Sequence, residues 1–104
     1  VTPEGKVKAA VNKLLAKYKR VYRFMPVQYG YGESTLDFLI CVNGHFLAIE
    51  TKAKGKKPTQ RQKQVMEKIT SAGGTALVID DAADLTNLRE YLERYHNATN
   101  QSEA

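Results

Sequence analysis

Twelve residues separate Asp37 from Glu50, and Lys52 follows in the run Glu50-Thr51-Lys52. Between the acids lies Asn43-Gly44, a strong hairpin-turn signal, flanked by the β-branched and aromatic runs Thr35 to Val42 and His45 to Ala53. A two-residue turn pairs Val42 with His45, and that register sets Asp37 directly across from Glu50. Like charges opposed in a half-buried sheet are destabilising, and each favours its neighbour's protonation unless positive charge stands between them. A divalent cation is the natural solution, and Lys52 brings an ammonium to the same face. Two carboxylates, a lysine and oxygen-ligated Mg²⁺ or Mn²⁺ suit phosphodiester hydrolysis. The metal polarises phosphate and acidifies water, while lysine orients that water or stabilises charge developing on the phosphorane. The plainer alternative is an acid–lysine pair on an exposed strand face, and the apolar residues around these positions stand against it. A three-residue loop would flip Asp37 relative to Glu50.

These side chains need a scaffold of alternating elements. Thr2 caps a helix with Pro3 at its first position, and Val7, Ala10, Val11, Leu14, Leu15 and Tyr18 share one face, giving helix one over about residues 3 to 19. Residues 21 to 27 read as a strand that Pro26 pushes to an edge or an early end. The loop at 28 to 34 carries Tyr29 and Tyr31 between glycines. In the hairpin, Leu36, Phe38, Ile40, Val42, Leu47 and Ile49 line one face, and Thr35, Leu39, Cys41, Phe46 and Ala48 accompany the acids on the other. Both faces are largely apolar, so the hairpin is central, and Cys41 reads as a small core residue. Thr59 caps a second helix that turns Val65, Met66, Ile69 and Ala72 to the core and stops at Gly73-Gly74. Thr75 to Ile79 is a short strand. Asp81 then offers an N-cap for a third helix with the stripe Leu85, Leu88, Tyr91, Leu92 and Tyr95. The order α-β-β-β-α-β-α defines an α/β domain with a mixed central sheet flanked by helices, spanning residues 1 to 95 and followed by a polar tail at 96 to 104. His45 and His96 read as structural rather than catalytic.

The 104 residues carry a net charge of +5 and 42% apolar content, which supports one domain. No uncharged apolar run reaches eighteen residues and lysines stud the first twenty, so a soluble, intracellular protein without membrane partners is expected. The lone cysteine excludes an internal disulfide framework and a Cys-based zinc site. Charge is uneven: residues 1 to 68 hold 14 basic against 5 acidic side chains, and residues 69 to 104 hold 2 against 6. Such asymmetry favours a polyanion, with nucleic acid the leading candidate. The densest basic stretch is Lys52, Lys54, Lys56, Lys57, Arg61 and Lys63, broken by Gly55 and Pro58 into a loop suited to following a phosphate backbone.

Asp37 followed after twelve residues by Glu50-Thr-Lys52 resembles the PD-(D/E)XK nuclease signature. Ile49-Glu-Thr-Lys-Ala53, the basic loop, Pro58-Thr-Gln-Arg-Gln62 and Ala72-Gly-Gly74 before an apolar strand resemble its VRR-NUC branch, the virus-type replication-repair nucleases. With the acidic start of helix one, the resemblance covers about residues 3 to 80. It implies a restriction-endonuclease-like core and a metal-dependent DNA endonuclease. By that resemblance Asp37, Glu50 and the backbone carbonyl of Thr51 hold Mg²⁺ or Mn²⁺, Lys52 is catalytic, Gln62 supports the site, and Glu4 joins the metal shell. Leu36 stands where the motif has proline. Glu4 precedes Val7 and Val11 by three and seven residues, which puts it on the buried face, although an acid at a helix start also answers the helix dipole. The alternative for Gln62 is a polar cap instead, and Gln60 and Gln64 compete with it, though Gln62 best matches the family's position.

Stand-alone VRR-NUC proteins resemble homodimeric resolvases of four-way junctions, which implies branched DNA as substrate, a two-fold dimer, and the cytoplasm or nucleoid of a bacterium or phage-infected cell. Tyr29 and Tyr31 then stack on bases at a branch, or else cover the core or a dimer interface. Two rivals lack catalysis. A double-stranded-RNA-binding domain shares the order α-β-β-β-α, but has no use for opposed acids or for the elements after Gly74. A nuclease fold without activity would act as a DNA clamp, which the intact Asp37, Glu50 and Lys52 disfavour.

Overall fold

The computed structural model describes residues 1–27 and 34–97; Tyr29 and Tyr31, and the tail beyond Asn97, lie outside them. Seven elements follow in order: α1 (Pro3–Leu15), β1 (Val21–Phe24), β2 (Phe38–Val42), β3 (His45–Thr51), α2 (Gln60–Ser71), β4 (Thr75–Ile79) and α3 (Thr86–His96). The strands form one mixed sheet in the order β1-β2-β3-β4, antiparallel except for the parallel pair β3–β4 that α2 connects. Among the described residues no helix is long and apolar enough to cross a membrane.

Local chemistry sets the element ends. The Thr2 hydroxyl accepts from Gly5 N at 3.0 Å, and Pro3 begins α1 as expected. The helix ends at Leu15 rather than near 19, because Lys17 N and Tyr18 N bond back to Leu14 O and Leu15 O in tighter turns. There Tyr18 meets the His96 ring edge-on. β1 stops at Phe24, ahead of Pro26, and lies at the sheet edge. Asn43 and Gly44 both adopt positive φ, 48° and 89°, the two-residue turn that matches strand twist. Val42 therefore pairs with His45 and Phe38 with Ile49, the register the sequence demands.

The core fills one side of the sheet. Phe38, Ile40, Val42, Leu47, Ile49 and Ile79 pack with Val7, Val11, Leu14 and Leu15 of α1 and with Leu88, Tyr91 and Leu92 of α3. The opposite side carries α2, none of whose residues is fully buried; Val65, Met66 and Ile69 are half-buried and Ala72 is exposed. Ala72 was expected to face the core, and a further expectation changes with it. Cys41 is exposed rather than in the core, because α2 lies against β4 and leaves the β1–β2 end of that face uncovered. The start of α3 also differs. Asp81 Oδ1 accepts from Ala83 N in the preceding turn, whereas Asp84 Oδ1 accepts from Thr86 N at 3.1 Å and Thr86 Oγ1 at 2.6 Å. His96 closes α3, and its Nε2 accepts from Arg20 N at 3.3 Å, a structural role.

Candidate active site

The β2–β3 ladder ends at Phe38–Ile49, one step short of the acids, so Asp37 is not strand-paired with Glu50 as the register alone suggests. It sits in a bend because its carboxylate has stronger partners. Oδ2 accepts from the backbone N–H of Thr51 at 3.0 Å and from its hydroxyl at 2.7 Å. Thr51 is fully buried, so β3 itself fixes the orientation of the Asp37 carboxylate. Sequence reasoning assigned Thr51 only a carbonyl; its β-branched hydroxyl, one residue after Glu50, is the signal for this second role.

Glu50 is 3% exposed, an unusual burial for a carboxylate. Its Oε2 accepts from Gln62 Nε2 at 2.8 Å and faces Lys52 Nζ at 3.4 Å. Its Oε1 is buried with no hydrogen-bond partner. Burial raises the Glu50 pKa, the nearby Asp37 charge raises it further, and the Lys52 ammonium opposes both. An orphaned buried oxygen costs about 1 to 3 kcal/mol when nothing satisfies it. A cation would remove that cost, and the side chains fit one: the hard carboxylate oxygens of Asp37 and Glu50 suit Mg²⁺ or Mn²⁺, which keep several waters and need few protein ligands. Among the described residues no three His, Cys, Asp or Glu side chains cluster as a metal cage, so the fit rests on the two carboxylates.

Gln62 caps α2 and also contacts Glu50. Its Oε1 accepts from Thr59 N at 2.8 Å while Thr59 Oγ1 accepts from Gln62 N at 3.2 Å, a capping box, and its free amide reaches Glu50. One side chain thus starts α2 and ties it to the buried acid. Gln60 and Gln64 are exposed.

Glu4 lies in the first turn of α1, half-exposed, 3.4 Å from Lys8 Nζ. That ammonium also lies 3.8 Å from Asp37 Oδ1, so Glu4 joins the acids through Lys8. Lys8 escaped sequence reasoning. The i,i+4 spacing from Glu4 beside the buried Val7 is the pattern that finds it.

The basic residues of the loop and of early α2 are exposed, unlike the acids. Lys54, Lys56, Lys57, Arg61 and Lys63 are all exposed. The loop after Lys52 is held by Gly55 N donating to Asp80 Oδ2 at 3.2 Å and by Lys54 Nζ 3.6 Å from Asp81. Arg61 donates to Ser34 Oγ at 3.2 Å, linking α2 to the segment that leads into Asp37. Lys63 follows Gln62 directly on α2, roughly 100° further around the helix. A groove of about 540 Å³ opens between the sheet and α2, lined by Thr35, Leu39, Phe46, Arg61, Val65 and Lys68 among others; it adjoins the acids but they do not line it.

No protein-family model matches the sequence, and no curated protein matches it. Among solved structures, one described as a VRR_NUC domain aligns with a TM-score of 0.73 at 19% identity, covering 88% of this chain and 98% of that chain. The chain has an α/β fold similar to that of this VRR_NUC domain structure, whose description names the family that the motifs around Asp37 and Glu50 resemble.

Proposed function

We propose that the protein is a divalent-metal-dependent DNA nuclease that hydrolyses phosphodiester bonds. The observation that carries this reading is Glu50: a buried carboxylate with one orphaned oxygen, beside Asp37 and in contact with Lys52. Asp37, Glu50 and the Thr51 carbonyl would hold Mg²⁺ or Mn²⁺, with Glu4 in reach of the outer shell. A bound divalent ion supplies Lewis acidity toward the scissile phosphate and lowers the pKa of attacking water. Thr51 fixes the Asp37 carboxylate and Gln62 the Glu50 carboxylate, so neither must reorganise when substrate arrives. Lys52, only 14% exposed at its side chain, orients the water or donates to the phosphoryl oxygen that gains charge. Lys54, Lys56, Lys57, Arg61 and Lys63 take the flanking backbone phosphates.

Branched DNA, such as a four-way junction, is the proposed substrate, and a two-fold homodimer would present two sites to it for paired cuts. The test is cleavage of end-labelled four-way junction, fork, duplex and single-stranded DNA with Mn²⁺, Mg²⁺ or EDTA, beside Lys52→Ala. Metal-dependent cuts near the branch that vanish in the variant are the expected result. Equal cutting of every substrate would remove the branch selectivity alone. Metal-indifferent binding without cutting would make the protein a nucleic-acid-binding module instead.

A further inference from the structure

Resting on that reading of the site, we propose that Lys8 is an internal counter-cation of the metal-free protein, occupying Asp37 and Glu4 until a divalent ion displaces it. Its ammonium lies 3.4 Å from Glu4 Oε2 and 3.8 Å from Asp37 Oδ1. Oδ1 is the oxygen that Thr51 leaves open, because both Thr51 donors go to Oδ2. Lys8 therefore sits against the Asp37 oxygen that Thr51 leaves for a metal, while Lys52 sits against Glu50 Oε2 and Glu50 Oε1 has no hydrogen-bond partner.

Charge balance gives the direction of the effect. Counted over the ion pairs, Glu4 and Asp37 on Lys8 and Glu50 on Lys52, three carboxylates meet two ammoniums, which leaves one negative charge. A divalent ion added beside both ammoniums overshoots to one positive charge. The same ion with Lys8 withdrawn makes the cluster neutral. Lys8 is able to withdraw: it is about one-third exposed, on a flexible four-carbon stem at the solvent edge of α1, whereas Lys52 is enclosed. Metal and Lys8 thus compete for the same carboxylate, and the site trades metal affinity for stability when no metal is bound. A merely solvated Glu–Lys helix pair has no such coupling to Asp37.

The test is calorimetric titration of the full chain with Mn²⁺, using wild type, Lys8→Met, Lys8→Arg and Asp37→Asn, with thermal melting of each in EDTA and in saturating Mn²⁺. Lys8→Met keeps the length and helix propensity of the side chain and removes its charge. The expected result is Mn²⁺ binding about tenfold tighter in Lys8→Met, within the usual range of coupling between sites, with Lys8→Arg close to wild type. The Mn²⁺-induced rise in melting temperature should be larger in Lys8→Met than in wild type. Unchanged or weaker binding in Lys8→Met, with wild-type binding intact and lost in Asp37→Asn, overturns the role of Lys8 and leaves the metal site standing. Binding absent from wild type but present in Lys8→Met supports the competition in its strongest form. Binding absent from both, or unaffected by Asp37→Asn, overturns the metal site and the role of Lys8 with it.

Discussion

The two faces of the central hairpin are built from the same kinds of residue and end in different states. On one face Phe38, Ile40, Val42, Leu47 and Ile49 are all within 1% of complete burial. On the other, Cys41 is exposed, Phe46 is 45% exposed and Leu39 is half-buried, while Ala48 and Glu50 are fully covered. Two helices, α1 and α3, share the first face; α2 alone covers the second, against β4. Fold stability is therefore concentrated on the closed face. The site lies where the covered part of the open face meets the end of the sheet, and helices from both sides contribute there: Lys8 from α1 and Gln62 from α2. Burial of a carboxylate is tolerable at such a boundary because chain from three elements converges to hold it.

The largest expected effect belongs to the open face. Lys52→Ala should lower DNA cleavage by about 10³-fold, roughly 4 kcal/mol of barrier, while circular dichroism shows a fold unchanged from wild type. Loss of the fold along with activity would instead make Lys52 a structural partner of Glu50. Stability should show the reverse asymmetry, and adjacent residues on β3 test it. Leu47→Ala, on the closed face, should cost about 3 kcal/mol in urea unfolding through the cavity it leaves. Phe46→Ala, one residue earlier on the open face, removes a larger side chain yet should cost only about 1 kcal/mol, since nearly half of it already meets water. Equal costs would mean that the open face is covered in solution, and a concentration-dependent melting temperature would then identify a second copy as the cover.

Much of this contrast was legible in the sequence, and what was missed has physical causes. Asn43-Gly44 fixed the hairpin register through its turn geometry, and that register brought Asp37 and Glu50 to the same end of the sheet. Periodicity named the residues of both faces, but a period of two cannot say how many helices cover each, which is why Cys41 read as core. Val65, Met66 and Ile69 likewise showed an apolar stripe on α2 without showing that a single helix over an open face leaves its stripe half-covered. Asp37 left its ladder because the Thr51 hydroxyl and N–H compete for its carboxylate, a side-chain choice that strand propensity does not encode. The link from Lys8 to Asp37 was hidden for a related reason. The partner of Lys8 across the site comes from an element 29 positions away, and no local rule joins the two.

A smaller effect separates the two roles of Gln62. Thr59→Ala removes the hydroxyl half of the capping box and should cost about 1 kcal/mol of stability. Gln62→Ala removes the other half of the cap and also the donor to Glu50, so it should cost about 2 kcal/mol. Cleavage distinguishes them more sharply: about tenfold lower in Gln62→Ala at saturating metal, and unchanged in Thr59→Ala. Equal cleavage by the two variants would confine Gln62 to capping.

The smallest effect is a pH dependence confined to the metal-free protein, and its sign follows from burial. Glu50 has a folded-state pKa above its ordinary value of 4.5, chiefly through desolvation and then through the Asp37 charge. The native state therefore binds the proton more tightly than the unfolded chain does, so this contribution to stability is complete below 4.5 and is lost as pH rises through the raised folded value. Wild type in EDTA should lose stability relative to Glu50→Gln across that window, because glutamine keeps the shape of the side chain without a proton to lose. Lys52 limits the size of the difference by favouring the charged form. Saturating Mn²⁺ should reverse the trend, since metal binds the ionised carboxylate and gains affinity as the proton leaves. Urea unfolding of both proteins at several pH values, with and without Mn²⁺, measures it. Parallel pH profiles in EDTA would mean that Glu50 is solvated enough to behave as a surface acid, and the distinction between the covered and uncovered parts of the open face would lose its electrostatic half.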